Sequence, residues 1–284
     1  MAKDYIKKWN VSSTLRDKVT ATLTESRNNR GYTAINISGN GAMKSYKYGK
    51  CPWYKVAWRD YIAEATIDEG VTTVGQRAFE GCKNLQTVTL PSTVNRFVAF
   101  CFSDCTSLKS IKIPEGVTRI GTTTFGGCSA LETIELPSTL KSTGFNSFRD
   151  CISLKEITLP KGLTQLDDGT FYGCKALERA ELPKSLEEIG DWVFSYTNLK
   201  RVDIPDRVTR IGEYAFCFCK GLQAIVIPEF VEEIGKYAFD NCSNLTIYCE
   251  AKEKPEGWHE EWNRDNLPVV WGHEIKRVGK KLND

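Results

Sequence analysis

Apolar residues recur along this chain in short alternating groups, and the whole pattern repeats about every 23 residues. Phenylalanine marks the period at Phe79, Phe102, Phe125, Phe148, Phe171 and Phe194, then at Phe216 after 22 residues and Phe239 after 23. Self-similarity at a fixed spacing of this size is the signature of a repeat architecture. A leucine stands six residues after most of these phenylalanines, at Leu85, Leu108, Leu131, Leu154, Leu177, Leu222 and Leu245, but five residues after Phe194, at Leu199. The single deletion therefore falls in Ser195-Tyr196-Thr197-Asn198, where Thr197 also replaces a cysteine. A surface loop is where a stacked repeat absorbs a missing residue.

Each leucine leads into an apolar, polar, apolar, proline pattern, as in Val88-Thr89-Leu90-Pro91, Ile111-Lys112-Ile113-Pro114, Ile134-Glu135-Leu136-Pro137 and Val202-Asp203-Ile204-Pro205. Alternation of β-branched residues predicts a short strand, which proline ends because it has no N–H for the ladder. A second apolar pair follows, as in Val117-Thr118-Arg119-Ile120-Gly121 and Val208-Thr209-Arg210-Ile211-Gly212. Here the glycine is expected to supply a turn conformation. One such coil cannot bury its own apolar side chains, so coils stack at ~4.8 Å and bury them against neighbours. The expected fold is a β-rich repeat solenoid of about eight stacked coils over residues 65–248, with cap segments over 1–64 and 249–284. Caps are needed because the end coils expose core and unpaired strand edges. Trp9, Trp53 and Trp58 are expected to cover the first coil, and Trp258, Trp262 and Trp271 the last. An aromatic carbohydrate site is the alternative reading of either cluster.

Seven of the eleven cysteines follow the same period: Cys82, Cys105, Cys128, Cys151 and Cys174 are 23 residues apart, as are Cys219 and Cys242. None has the CxxC spacing of a zinc or redox site. A column of small, reduced, buried side chains is expected. A redox or metal ladder would need exposed thiolates.

The repeat Phe-x-x-Cys-x-x-Leu-x-x-Ile-x-Leu-Pro-x-x-Val-x-x-Ile-Gly-x-x-Ala-Phe resembles the BspA-like leucine-rich repeat family of bacterial proteins, over roughly residues 65–248. The segments around Ile35-Asn36-Ile37 and Pro52-Trp53-Tyr54, and from Ile247 through Trp271-Gly272, are similar to the flanks of such proteins. The resemblance implies a right-handed leucine-rich-repeat solenoid with strands on one face. It also implies non-enzymatic binding, often adhesion at the cell surface, with no shared catalytic motif.

Lys plus Arg number 38 and Asp plus Glu 36, interspersed in sign. That balance gives no electrostatic footprint for nucleic acid or anionic lipid. The longest apolar stretches, such as residues 97–102, fall far short of the ~20 residues of a membrane span. Residues 1–9 have no apolar run behind their lysines, so no secretory signal peptide is read there. A cytoplasmic location is thus the alternative to the surface or secreted one that the resemblance implies, unless an export signal has been removed.

Few residues of the chain fall into patterns that carry chemistry. Gly39-Asn40-Gly41-Ala42-Met43-Lys44-Ser45 departs from both the Walker and the dinucleotide patterns and is read as a turn. No GxSxG or HExxH motif is present. Cys249, His259 and His273 are separated by 10 and 14 residues, which matches no common zinc spacing. The pairs Asp167-Asp168, Glu187-Glu188 and Glu232-Glu233 are read as solvated faces. The chain is therefore expected not to be an enzyme and to need neither cofactor nor metal.

Candidate binding residues come from the variable slots. Two residues before each repeat phenylalanine stand Arg77, Phe100, Thr123, Asn146, Gly169, Trp192, Tyr214 and Tyr237. The last three predict a contiguous ridge of residue types enriched at binding hot spots, widened by Tyr196 and Phe218 in the neighbouring loops. Mutual packing that shields the coil edge is the plainer role. On the strand face, alternation turns Arg179, Glu181, Arg201 and Asp203 outward as a mixed-charge patch that either orients a polar partner or solubilises the face. The expected partner is a protein, such as a host or cell-surface protein, with a glycan as the alternative. A monomer is expected, with no nucleic-acid partner and no membrane insertion.

Overall fold

The alternating segments form the strands that the pattern predicts. In this computed structural model, which describes residues 6–26, 31–54 and 56–274, Ser110–Lys112, Thr133–Glu135, Glu156–Thr158 and Arg179–Glu181 each turn a central apolar side chain inward between two exposed ones. Residues 1–5 and 275–284 of the two cap segments, with the first residues of the stretch read for a signal peptide, lie outside the described residues. Pairing is parallel and in register from coil to coil, as in Ile111 with Ile134 and Ile157 with Ala180. Where the deletion falls, the strand shrinks to a single bridge between Arg179 and Arg201.

The second extended segment builds its own parallel ladder through Gln165–Leu166, Glu188–Ile189, Arg210–Ile211 and Glu233–Ile234. The product is a β-solenoid of about nine turns with almost no helix. Its strand ladder continues past the last repeat phenylalanine through Thr246–Cys249 and Val269–Trp271.

At the start of the chain, β1 (Lys7–Asn10), β2 (Lys18–Glu25) and β3 (Thr33–Ala42) are antiparallel. β3 then pairs in parallel with β4 (Ile62–Ile67) along its first half and with β5 (Val71–Val74) at its end, so one strand starts both ladders. The glycine-rich stretch read as a turn is therefore the end of a strand. Gly39 is needed there because a Cβ would lie 1.7 Å from the Lys18 carbonyl oxygen.

The core is a column of stacked rings. From Phe79 to Phe239, successive phenylalanines stand 5.2 to 5.7 Å apart with planes within 20° of parallel. Trp53 closes one end at 5.8 Å from Phe79, with Trp9 against it and Trp58 packed on the core. Trp262 meets the other end edge-on at 6.1 Å from Phe239, backed by Trp258 and Trp271.

Beside the rings runs the cysteine column. All eleven thiols are free and buried. Cys105, Cys128, Cys151 and Cys174 each donate to the phenylalanine carbonyl of the preceding coil at 3.1 to 3.3 Å. The thiol is thus a small apolar filler that also satisfies a buried acceptor. Thr197, standing in for a cysteine, donates to the Phe194 carbonyl of its own coil at 2.8 Å. Burial pushes Cys128 up to about 12 and holds Cys105 and Cys151 well above the usual thiol range. A thiol reagent added without denaturant is expected to leave Cys105, Cys128 and Cys151 unmodified and to label them after unfolding. Rapid labelling of all three in the folded chain, read by mass spectrometry, would contradict this packing.

Two readings of polar and small residues need correction. Gly121 and Gly212 do not adopt a left-handed turn; a Cβ on Gly121 would lie 2.8 Å from the Phe97 carbonyl oxygen, and one on Gly212 would lie 2.5 Å from the Asp191 nitrogen. They are glycine because the preceding coil's backbone passes against them. Asp167, read as solvated, is buried and accepts the Gly144 N–H at 2.6 Å, while its own N–H donates to Thr143.

Candidate functional site

The return of each coil, which carries the phenylalanine, bends twice. Residues two before and two after the phenylalanine both take left-handed backbone: Asn146 and Asp150 at φ 53° and 57°, Gly169 and Gly173 at 64° and 73°, Trp192 and Tyr196 at 60° and 59°. The same holds for Tyr214 and Phe218 at 53° and 59°, and for Tyr237 and Asn241 at 58°. These bends let alternate N–H groups reach the next coil, as Trp192 does to the Glu213 carbonyl and Tyr196 to that of Cys217. Glycine adopts this conformation freely and Asn or Asp tolerates it. A bulky side chain held there costs ~1–3 kcal/mol. Five large aromatics, Trp192, Tyr196, Tyr214, Phe218 and Tyr237, nevertheless occupy such positions on three consecutive coils.

Those five rings form two short stacks. Trp192 and Tyr214 lie face to face at 3.9 Å and 12°, with Tyr237 edge-on to Tyr214 at 5.2 Å. Tyr196 and Phe218 stack at 4.4 Å and 12°. Tyr172 joins the stacks edge-on, 6.1 Å from Trp192 and 5.5 Å from Tyr196. Sequence reading missed Tyr172. Its signal was the one aromatic in a slot held elsewhere by Glu80, Ser103, Gly126, Arg149, Ser195, Cys217 and Asp240.

Exposure is greatest at the stack ends, 36% for Trp192 and 38% for Tyr196. Tyr214, Phe218 and Tyr237 are half-buried, and the Tyr237 hydroxyl donates to Glu261 at 3.0 Å. Cations frame the rings, with Arg149 4.6 Å over Tyr172 and Lys236 and Arg264 4.6 and 4.5 Å over Tyr237. Each also meets a carboxylate, Asp150, Glu261 and Asp240 respectively, at 2.7 to 3.2 Å. The edge is therefore aromatic and charge-balanced.

The charged quartet lies on the strand ladder, apart from this edge. Arg179 pairs with Glu181 at 2.6 Å and Arg201 with Asp203 at 2.9 Å, all four side chains exposed along a shallow groove with Leu182 and Lys200. Each arginine is neutralised by a carboxylate of its own coil, and exposed pairs of this kind contribute ~0–1 kcal/mol. Among the described residues, no three His, Cys, Asp or Glu side chains gather as a metal site needs, and no helix is long and apolar enough to cross a membrane. The His259 ring nitrogen accepts the Glu261 N–H, and His273 packs on Tyr248.

Comparison with known proteins agrees with this architecture. The sequence matches the family described as BspA type leucine-rich repeat region, in six copies, over residues 57–178 and 141–251. The fold is similar to that of a leucine-rich repeat protein from Bacteroides ovatus, at 27% identity and a TM-score of 0.59, covering 81% of this chain and 69% of that one. It is also similar to a leucine-rich repeat protein from Eubacterium ventriosum, at 23% identity and a TM-score of 0.50, covering 86% and 78%. None of the curated proteins compared matches the chain.

Proposed function

Because the chain belongs to the BspA-type leucine-rich repeat family, whose members are typically non-enzymatic scaffolds, we propose that it is a recognition scaffold that binds a protein through the aromatic edge of its later coils. The surface location implied by the family resemblance is part of this proposal. One observation carries it: five bulky aromatics are held in left-handed backbone where earlier coils place mostly glycine, Asp, Asn or Thr. Strain kept at a surface, where no core packing demands it, points to a use for the side chains. Tyr and Trp combine apolar area with a polar tip and dominate interface hot spots.

The test exploits the same backbone. Trp192→Gly, Tyr214→Gly and Tyr237→Gly together remove the ridge with residues that favour its φ values, so the coils stay stacked. Affinity for the partner recovered from the native source is expected to fall at least about 30-fold, the equivalent of one hot spot of ~2 kcal/mol. The same change at Thr123, in the same slot of an earlier coil, should leave it in place. Undiminished affinity in the folded triple variant would restrict the ridge to packing.

A further inference from the structure

Both aromatic stacks stop at the same coil. On one side Trp192 is covered by Tyr214, but its neighbour on the other side is Gly169; Tyr196 is covered by Phe218, and its other neighbour is Gly173. Neither glycine offers a side chain to continue the stack. Instead the half-buried Asn146 and Asp150 lean across from the coil before: a Cβ on Gly169 would meet Asn146 Oδ1 at 2.2 Å, and one on Gly173 would meet Asp150 Oδ1 at 2.2 Å. The surface thus drops in two parallel steps, from Trp192 to Asn146 and from Tyr196 to Asp150. Tyr172 stands between the steps with Arg149 over its ring, and Arg149 Nε is 3.2 Å from Asp150 Oδ2.

We propose that this double step binds a pyranose ring of a saccharide, which rests against Trp192 and is held from below by Asn146, Arg149 and Asp150. The proposal rests on the reading of this edge as the contact surface and names the chemistry recognised there. Backbones two coils apart are ~9.6 Å distant, so a ring lying over Gly169 would meet the Trp192 face beside the Tyr172 edge, which packs on Trp192 at 6.1 Å. A pyranose fits both walls. Its C–H face carries the weak positive charge that the negative face of the indole attracts. Its hydroxyls match a carboxamide, a guanidinium and a carboxylate. A phenyl ring in the same place would desolvate the Asn146 carboxamide and the Arg149–Asp150 ion pair without supplying any new hydrogen bond. The sugar can belong to a free polysaccharide or to a glycan on a protein, and the two sources share this chemistry.

The experiment is saturation-transfer NMR on the full chain with cellotriose, chitotriose, maltotriose and mannotriose. Parallel arms use a glycoprotein before and after removal of its glycans, and a phenylalanine-containing tripeptide. At least one trisaccharide is expected to bind in the range of about 1 mM. Trp192→Gly and Asn146→Gly, both compatible with left-handed backbone, should each weaken it at least about tenfold, or ~1.4 kcal/mol. Stronger binding of the glycoprotein than of its stripped form assigns the sugar to a protein-borne glycan, and trisaccharide binding with no difference between the two forms assigns it to a polysaccharide. No transfer to any saccharide arm at about 10 mM, transfer to the tripeptide alone, or saccharide binding unchanged by Trp192→Gly overturns the proposal. A protein partner that stays bound to Asn146→Gly while no saccharide binds defeats the step alone. A partner unaffected by loss of Trp192, Tyr214 and Tyr237 defeats the edge as a contact surface.

Discussion

Phe148→Ala is expected to lower the unfolding free energy by ~3–5 kcal/mol, the range for emptying a fully buried aromatic site. Phe148 is wholly buried, 5.6 Å from Phe125 and 5.5 Å from Phe171, with planes within 9° of both. Removing the ring therefore leaves a cavity walled by two other rings. Those walls cannot close, because coil spacing is set by backbone hydrogen bonds on each side, such as Phe125 N–H to the Ser147 carbonyl and Phe148 N–H to the Thr170 carbonyl. In a solenoid each coil is held by its neighbours alone, so the loss is felt at two interfaces. Urea denaturation followed by circular dichroism measures it. A change below about 1 kcal/mol would be that of a surface position and would refute the stacked core.

The repeat, the strands and the ring column were legible because each is written as spacing. Phenylalanines about 23 residues apart can only coincide in space if every coil has one length, and the one-residue deletion before Leu199 shows directly as the weakened strand at Arg201. What was not legible depends on backbone conformation and on contact between coils. The sequence lists Trp192, Tyr214 and Tyr237 as aromatics in one slot, but nothing in those residue types announces left-handed backbone, which they disfavour. The clue lay in Asn146 and Gly169 in that slot, and in Asp104, Gly127, Asp150 and Gly173 in the slot of Tyr196 and Phe218, small or Asx residues of other coils. Asp167 looked solvated for a similar reason: its carboxylate is buried against the Gly144 N–H of the coil before, an acceptor need that no local pattern records. The ridge residues were named from the sequence and the structure brings them together. Tyr172 stood out in the sequence as the one aromatic of its slot, but the step that it, Asn146 and Asp150 shape beside the ridge emerges only from stacking.

Gly212→Ala tests that stacking from the opposite direction, by adding one carbon. The new Cβ would lie 2.5 Å from both the Asp191 nitrogen and the Gly190 carbonyl carbon. These are backbone atoms of the preceding coil, so no rotamer change relieves the contact. The coils must part, which lengthens the hydrogen bond from Gly212 N–H to the Ile189 carbonyl, now 2.8 Å, and loosens the 5.4 Å stack of Phe194 on Phe216. The expected loss is about 3 kcal/mol, the upper part of the range for overpacking a tight interior. Gly272 supplies the contrast: it has φ 66° and nothing within 4 Å of a Cβ, so there only the backbone conformation resists a side chain. Asparagine tolerates left-handed backbone, so Gly272→Asn should stay within about 0.5 kcal/mol of the parent. Gly212→Asn should be at least as damaging as Gly212→Ala, since its Cβ meets the same backbone. Equal tolerance of asparagine at both positions in denaturant titrations would mean that Gly212 serves the turn conformation first expected of it and not the close approach of coils.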